Sequence, residues 1–261
     1  MQSSMTLSIC QFPISFLDWK KNSQKALFYI ESAKASNADF ILFPEMSLTG
    51  ISKDIYTMAD TNGKNLTFFK NAAKKYSIAI GFGWGKPSES KLENHYTVIN
   101  PDGVILSDYI KLHPFTYAGE NLCFVKGKDF TTFSYAGFTI CTFICYDMRF
   151  PEIFQAASKK ADLIVVAANW PETRSLHWKI LSQARAIENQ VYLAACNCVG
   201  NINGLVYSGD SALIGPDGIK KESLSHTAGL ITHTIVNDIP SVRKDFPVKQ
   251  DRLPDYYKSI L

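Results

Sequence analysis

The chain has 261 residues, 46% of them hydrophobic and 20% charged, with a formal net charge of +3. That composition supplies a full globular core, and its scattered lysines give no footprint for nucleic acid or an acidic membrane surface. No basic n-region with an apolar h-region opens the sequence and no apolar run reaches spanning length, so a cytoplasmic protein is expected. Six cysteines without framework spacing are expected as thiols in a reducing compartment. The pairs Cys141/Cys145 and Cys196/Cys198 lack a second pair at ligand spacing, so no metal is expected.

In chain order, Met5 to Phe12 alternates apolar and polar residues and reads as a strand. Asp18 can N-cap a helix whose apolar positions Ala26, Leu27, Ile30 and Ala33 recur at helical spacing. Asp39 to Phe43 is a near-continuous apolar run, buried on both faces, that stops at Pro44-Glu45. A carboxylate there is costly to desolvate without a partner or a task; the alternative is a solvated loop acid. A helix through Leu66 to Tyr76 leads to a strand from Ser77 to Trp84. A hairpin follows, Asn94 to Asn100 and Val104 to Ile110 around Pro101-Asp102-Gly103, and delivers Lys111 at its end. Glu120 lies nine positions later, beyond the aromatic residues Phe115 and Tyr117.

The second half echoes the first. Thr131 to Ile144 reads as a hairpin turning near Ala136-Gly137, and Pro151 opens a helix. A strand from Asp162 to Ala168, a helix from Ser175 to Asn189 and a strand from Val191 to Cys196 follow. A second Pro-Asp-Gly turn stands at Pro216-Asp217-Gly218. This repetition predicts one α/β domain over 1–261 with an internal pseudo-twofold.

The apolar run Phe138 to Ile144 stops at Cys145, and Tyr146-Asp147-Met148-Arg149-Phe150 separates it from Pro151. A thiol at a strand exit, next to free N–H donors and a helix start, is expected to have a lowered pKa. The bland alternative is a small buried core residue. With Glu45 as base and Lys111 to hold an oxyanion, Cys145 completes a set suited to acyl transfer. Cysteine with one of the five histidines is the competing arrangement, although none of them carries a local signature.

Three segments together resemble the nitrilase superfamily of carbon–nitrogen hydrolases: Phe43-Pro44-Glu45-Met46, Tyr109-Ile110-Lys111-Leu112-His113 and Ile144-Cys145-Tyr146-Asp147. Glu120 resembles the second glutamate of that site. Ala168-Asn169-Trp170-Pro171, Arg174-Ser175-Leu176-His177-Trp178, Ala184 to Gln190 and Tyr207 to Ser211 are similar to the omega-amidase branch. True nitrilases usually continue from the nucleophile with Trp-Glu, where this chain has Tyr146-Asp147. The resemblance implies a four-layer α-β-β-α sandwich, catalytic Glu45, Lys111, Cys145 and Glu120, and neither metal nor cofactor. It implies hydrolysis of a small-molecule amide, a short dicarboxylic acid monoamide, through a thioester. Hydrolysis of an N-carbamoyl amino acid, or a catalytically idle binding or scaffold member of the fold, are the alternatives.

Tyr146 and Trp170 are expected on a pocket wall, against the alternative of core packing. Arg149 either holds a substrate carboxylate or pairs with Glu152 or Glu188. Arg185 and Glu188 are spaced for an ion pair on one helix. The Ser175 helix carries the apolar stripe Leu176, Ile180, Ala184 and Ile187 and a second patch of Trp178 and Leu181. That surplus predicts a homodimer or a higher homo-oligomer.

Overall fold

A computed structural model describes residues 2–52 and 54–260. The strands are β1 (Ser4–Gln11), β2 (Phe40–Leu42), β3 (Ala79–Ser88), β4 (Lys91–Ile99), β5 (Ile105–Ile110), β6 (Phe124–Val125), β7 (Thr132–Tyr135), β8 (Phe138–Ile144), β9 (Leu163–Ala168), β10 (Tyr192–Asn197), β11 (Val199–Ile202), β12 (Leu205–Ser208), β13 (Ser211–Ile214), β14 (Lys220–Leu224) and β15 (Gly229–Val236). The helices are α1 (Trp19–Ala35), α2 (Ile55–Met58), α3 (Lys64–Tyr76), α4 (Glu120–Cys123), α5 (Pro151–Ala157), α6 (Ser175–Asn189), α7 (Ile239–Asp245) and α8 (Pro254–Ile260). Among the described residues no helix is long and apolar enough to cross a membrane.

Two sheets carry the same pattern. One runs β15-β1-β2-β3-β4-β5 and the other β7-β8-β9-β10-β13-β14. In each, an antiparallel edge strand flanks three parallel strands, and two antiparallel strands finish the order. This is the pseudo-twofold in strand order. Each closing hairpin turns at a Pro-Asp-Gly whose glycine has positive φ, Gly103 at 76° and Gly218 at 78°; only glycine takes that conformation without steric cost.

The parallel strands are buried on both faces, which is why they read as continuous apolar runs. Alternation then sorts β2 and its exit between two cores. Phe40 and Leu42 join the core between the sheets, while Ile41 and Phe43 join the core under α1 and α3. Helices α5 and α6 cover the other sheet. The layers are therefore α-β-β-α.

Helix α6 departs from the expected orientation. Trp178 is buried against Trp170 and donates to the Asp210 carbonyl (3.0 Å), and Leu181 packs partly on the core, so neither forms a free patch. Arg185 faces inward too, donating to the Met148 carbonyl (3.1 Å) and to Glu188 (2.9 Å). The apolar stripe points outward instead: Leu176, Ile180 and Ile187 are 67%, 56% and 53% exposed.

Candidate active site

Glu45 sits just past β2, in a turn built by close backbone approach. Ser47 N–H donates to the Gly83 carbonyl (2.9 Å), and Tyr96 Oη donates to the Phe43 carbonyl (3.0 Å). A Cβ on Gly83 would fall 2.6 Å from Met46 N and 2.7 Å from Glu45 Cα, so only glycine lets β3 pass here. Met46 takes φ 46°, and the matching exit of β8 gives Cys145 φ 47°. Left-handed backbone costs a non-glycine residue on the order of 1–2 kcal/mol, and such strain gathers where the surrounding structure dictates a side chain's direction. Lys111 follows β5, its N–H donating to the Asn94 carbonyl (2.9 Å). Glu120 opens α4.

These side chains meet in one buried network. Lys111 Nζ donates to Glu45 Oε1 (2.9 Å) and to both oxygens of Glu120 (2.9 Å each). Asn94 Nδ2 spans the same two carboxylates, at 2.8 Å from Glu45 and 3.3 Å from Glu120. Glu45 Oε2 accepts from the Asn169 N–H (2.9 Å), and Asn169 Nδ2 donates to the Glu45 carbonyl (2.8 Å). Phe115 N–H donates to Glu120 Oε2 (2.6 Å), which ties the aromatic loop to the network. Glu45 is thus no solvated loop acid; it is fully buried.

The electrostatics follow from burial. Desolvation alone would push the Lys111 ammonium down, but Glu45 and Glu120 outweigh it and hold its pKa well above the ordinary lysine value. Cys145 goes the other way from the sequence expectation. Desolvation, then the Glu45 charge, raise its thiol well above the usual value, and Lys111 offsets this only in part. The thiol has Glu45 as a hydrogen-bond partner and lies 4.0 Å from the Asn169 carbonyl. A buried acid next to an anion keeps its proton, so the helix-start effect loses to the carboxylates. Cys145 rests as a thiol with a carboxylate positioned to take its proton.

The histidine alternative finds no geometry. His113 Nδ1 binds Asp147 Oδ1 (2.7 Å) while its ring stacks on Phe150 (3.7 Å), and His177 Nδ1 accepts from Arg149 Nη2 (3.2 Å). His95 lies between Glu93 and Asp108, and His226 and His233 face Glu172 and Glu222.

A cavity of about 40 Å³ opens over Cys145, lined by Phe115, Tyr146, Arg149, Asn169, Trp170 and Arg174 among others. The Tyr146 ring lies tilted against Phe115 (4.8 Å between centroids). Trp170 serves both readings, since it lines the cavity and is only 3% exposed. The Arg149 guanidinium lies over Trp170 (4.7 Å) and Tyr146 (5.9 Å). It pairs with neither Glu152 nor Glu188 among the described residues, because Glu188 is taken by Arg185.

Four contributors escaped sequence reasoning. Asn169 could have been noticed, since it leaves β9 as Glu45 leaves β2. Asn94 lies inside a strand and gave no signal. Asp147 is fully buried and accepts from Tyr109 Oη (2.7 Å), Ile144 N–H (3.0 Å), His113 N–H (3.0 Å) and His113 Nδ1 (2.7 Å). It links the nucleophile's turn to the segment that carries Lys111. Arg174 is the fourth.

The carbon-nitrogen hydrolase family profile matches residues 6–244. A 2-oxoglutaramate amidase of Bacillus subtilis (strain 168) is 34% identical over 257 residues, 97% of this chain and 99% of that protein. Omega-amidase YafV of Escherichia coli (strain K12) is 31% identical over 250 residues, 95% of this chain and 96% of its own. Among solved structures, XC1258 from Xanthomonas campestris, a CN-hydrolase superfamily protein with an arsenic adduct in its active site, superposes with a TM-score of 0.90. It is 28% identical, with 96% and 97% of the two chains covered.

Proposed function

The chain belongs to the carbon–nitrogen hydrolase family and is a hydrolase of carbon–nitrogen bonds other than peptide bonds; from that premise we propose that it cleaves the terminal amide of a short dicarboxylic acid monoamide, 2-oxo acid amides included. The observation that carries this reading is a buried thiol–carboxylate–ammonium cluster beneath a small cavity whose rim holds Arg149 without a carboxylate partner. An arginine so placed suits a substrate carboxylate, which it grips with two parallel bonds. The place of Arg149 on the rim of a cavity over Cys145 favours a short chain between that carboxylate and the amide.

Glu45 takes the Cys145 proton as Sγ attacks the amide carbon. In this reading the oxyanion has two donors, the Lys111 ammonium and the Tyr146 N–H at the start of the turn after the nucleophile, a position whose N–H groups a helical turn leaves without intrahelical acceptors. Glu45 returns its proton to the leaving nitrogen, the C–N bond breaks, and ammonia departs from a thioester. Water then loses a proton to Glu45 and attacks the thioester carbon. The acid is released and the thiol regains the proton. Glu45 and Glu120 keep Lys111 protonated, and Asn94 holds the two carboxylates in place around it. Loss of either carboxylate's geometry would misplace the donor. The outward stripe of α6 supports association of two copies across that helix.

The test is an ammonia-release screen over dicarboxylic acid monoamides, N-carbamoyl amino acids and nitriles, with Cys145→Ala as the blank. Intact mass spectrometry should show an acyl adduct on the peptide carrying Cys145. Release confined to N-carbamoyl substrates, or surviving in Cys145→Ala, would overturn the reading.

A further inference from the structure

Arg174 lines the cavity over Cys145, and the reaction just described gives it no task. Its backbone carbonyl accepts from Trp170 Nε1 (2.8 Å), while its guanidinium lies over Phe115 (5.3 Å) and Tyr117 (5.7 Å). Arg149 lies over Trp170 and Tyr146 on the other side, and Phe115 meets Tyr146 at 4.8 Å. An aromatic collar therefore surrounds the mouth, with one guanidinium on each side. Two acids close to the Arg174 segment, Glu172 in sequence and Asp210 through Ser175, are engaged elsewhere: Glu172 faces His226, and Asp210 holds Lys179. Among the described residues, no salt bridge neutralises Arg174 or Arg149.

One substrate carboxylate neutralises one of these cations and leaves the other. We propose that Arg174 is the residue that selects the α-substituent, admitting ω-amides whose α-carbon bears an oxo group or hydrogen and rejecting those that bear an ammonium. The inference rests on the carboxylate-and-amide reading above. The α-carbon adjoins the carboxylate, so an α-ammonium would sit beside the unneutralised guanidinium in a partly dehydrated cavity, where like charges repel strongly. An α-oxo oxygen offers that guanidinium an acceptor instead. Stacking on Phe115 and Tyr117 holds the planar group at the rim with little entropy left to lose.

The experiment compares kcat/KM for three five-carbon monoamides: the 2-oxo compound, the unsubstituted compound, and glutamine as the 2-amino compound. Wild type should prefer the 2-oxo amide over glutamine by ~100-fold or more, the scale on which unpaired or repelled polar groups discriminate. Arg174→Gln and Arg174→Met, which remove the charge, should raise the glutamine-to-oxo ratio by ~10-fold or more. Arg174→Lys keeps the charge and should leave that ratio within ~3-fold, although stacking is lost. If neutral substitution lowers all three substrates alike, Arg174 only braces the collar and the proposal fails. Wild type that cleaves glutamine as readily as the 2-oxo amide overturns it directly. If wild type cleaves no monoamide but does cleave N-carbamoyl amino acids, the underlying substrate reading has failed instead.

Discussion

Asp147→Asn tests how the two halves of the site are held together. The Asp147 carboxylate is fully buried and receives four hydrogen bonds, three from Tyr109 and His113 across the sandwich and one from the Ile144 N–H on its own side. Asparagine keeps the shape but offers one acceptor oxygen and one NH2. If its oxygen faces His113, which supplies an N–H and the Nδ1 proton, the NH2 faces Tyr109 Oη and the Ile144 N–H. Tyr109 Oη already accepts from the Leu112 N–H (3.1 Å) and donates onward to Asp147, so it must rotate. The Ile144 N–H has no such choice and is left facing a donor, one residue before Cys145. An orphaned buried N–H costs ~1–3 kcal/mol, and bonds to an ion are each worth more than bonds to an amide. Together these give a loss of ~3–5 kcal/mol, or roughly 6–20 °C in Tm for a chain of this size. Some of that loss will appear as displacement of Cys145 relative to Lys111, so kcat should fall while KM changes little. Thermal unfolding and steady-state ammonia release on the same preparation are the assays. A variant that melts within ~2 °C of wild type and keeps its kcat would refute the linkage, because no orientation of asparagine satisfies all four donors.

Glu45→Gln removes the proton acceptor and should cut kcat by ~100-fold or more. Turnover within ~3-fold of wild type in that variant would show that another group takes the thiol proton. Lys111→Ala leaves Glu45 and Glu120 buried without their cation, so stability should fall by ~3–5 kcal/mol along with kcat; a stable, inactive variant would mean the cluster relaxes around water. Asp210 accepts from Ser208, Ser225, Lys179 and Ser175, and despite the opposing effect of burial these hold its pKa down at about 2. Its folded pKa is below the unfolded one, so its stabilisation is present above about pH 4 and vanishes as pH falls towards 2. Asp210→Asn should therefore be destabilised by ~1–2 kcal/mol at pH 7 and match wild type near pH 2 in urea unfolding. Light scattering at micromolar concentration should show at least a dimer, and Ile180→Glu on the outward stripe of α6 should shift it towards monomer.

By itself the sequence determined the features that are local in the chain. Apolar runs such as Leu163–Ala168 specify strands buried on both faces, because side chains alternate between the faces and no polar residue marks either face as solvent-exposed. Two Pro-Asp-Gly turns fix two hairpins, and abrupt ends of apolar runs mark Glu45 and Cys145 as strand exits. What those exits face was not local. Asn94 and Asn169 reach Glu45 from 49 and 124 residues away, and Asp147 reaches Tyr109 from 38; no periodicity encodes such pairings. The thiol's pKa was decided in the same way. Its own turn favours ionisation, but burial in the assembled core, and after it the carboxylates Glu45 and Glu120, reverse the sign, since neither solvent exclusion nor charge proximity follows chain order. Helix α6 shows the same division at the surface. Its sequence displays an apolar stripe, yet Trp178 and Arg185 turn inward because Asp210, Met148 and Trp170 offer them partners that only the assembled sheet provides.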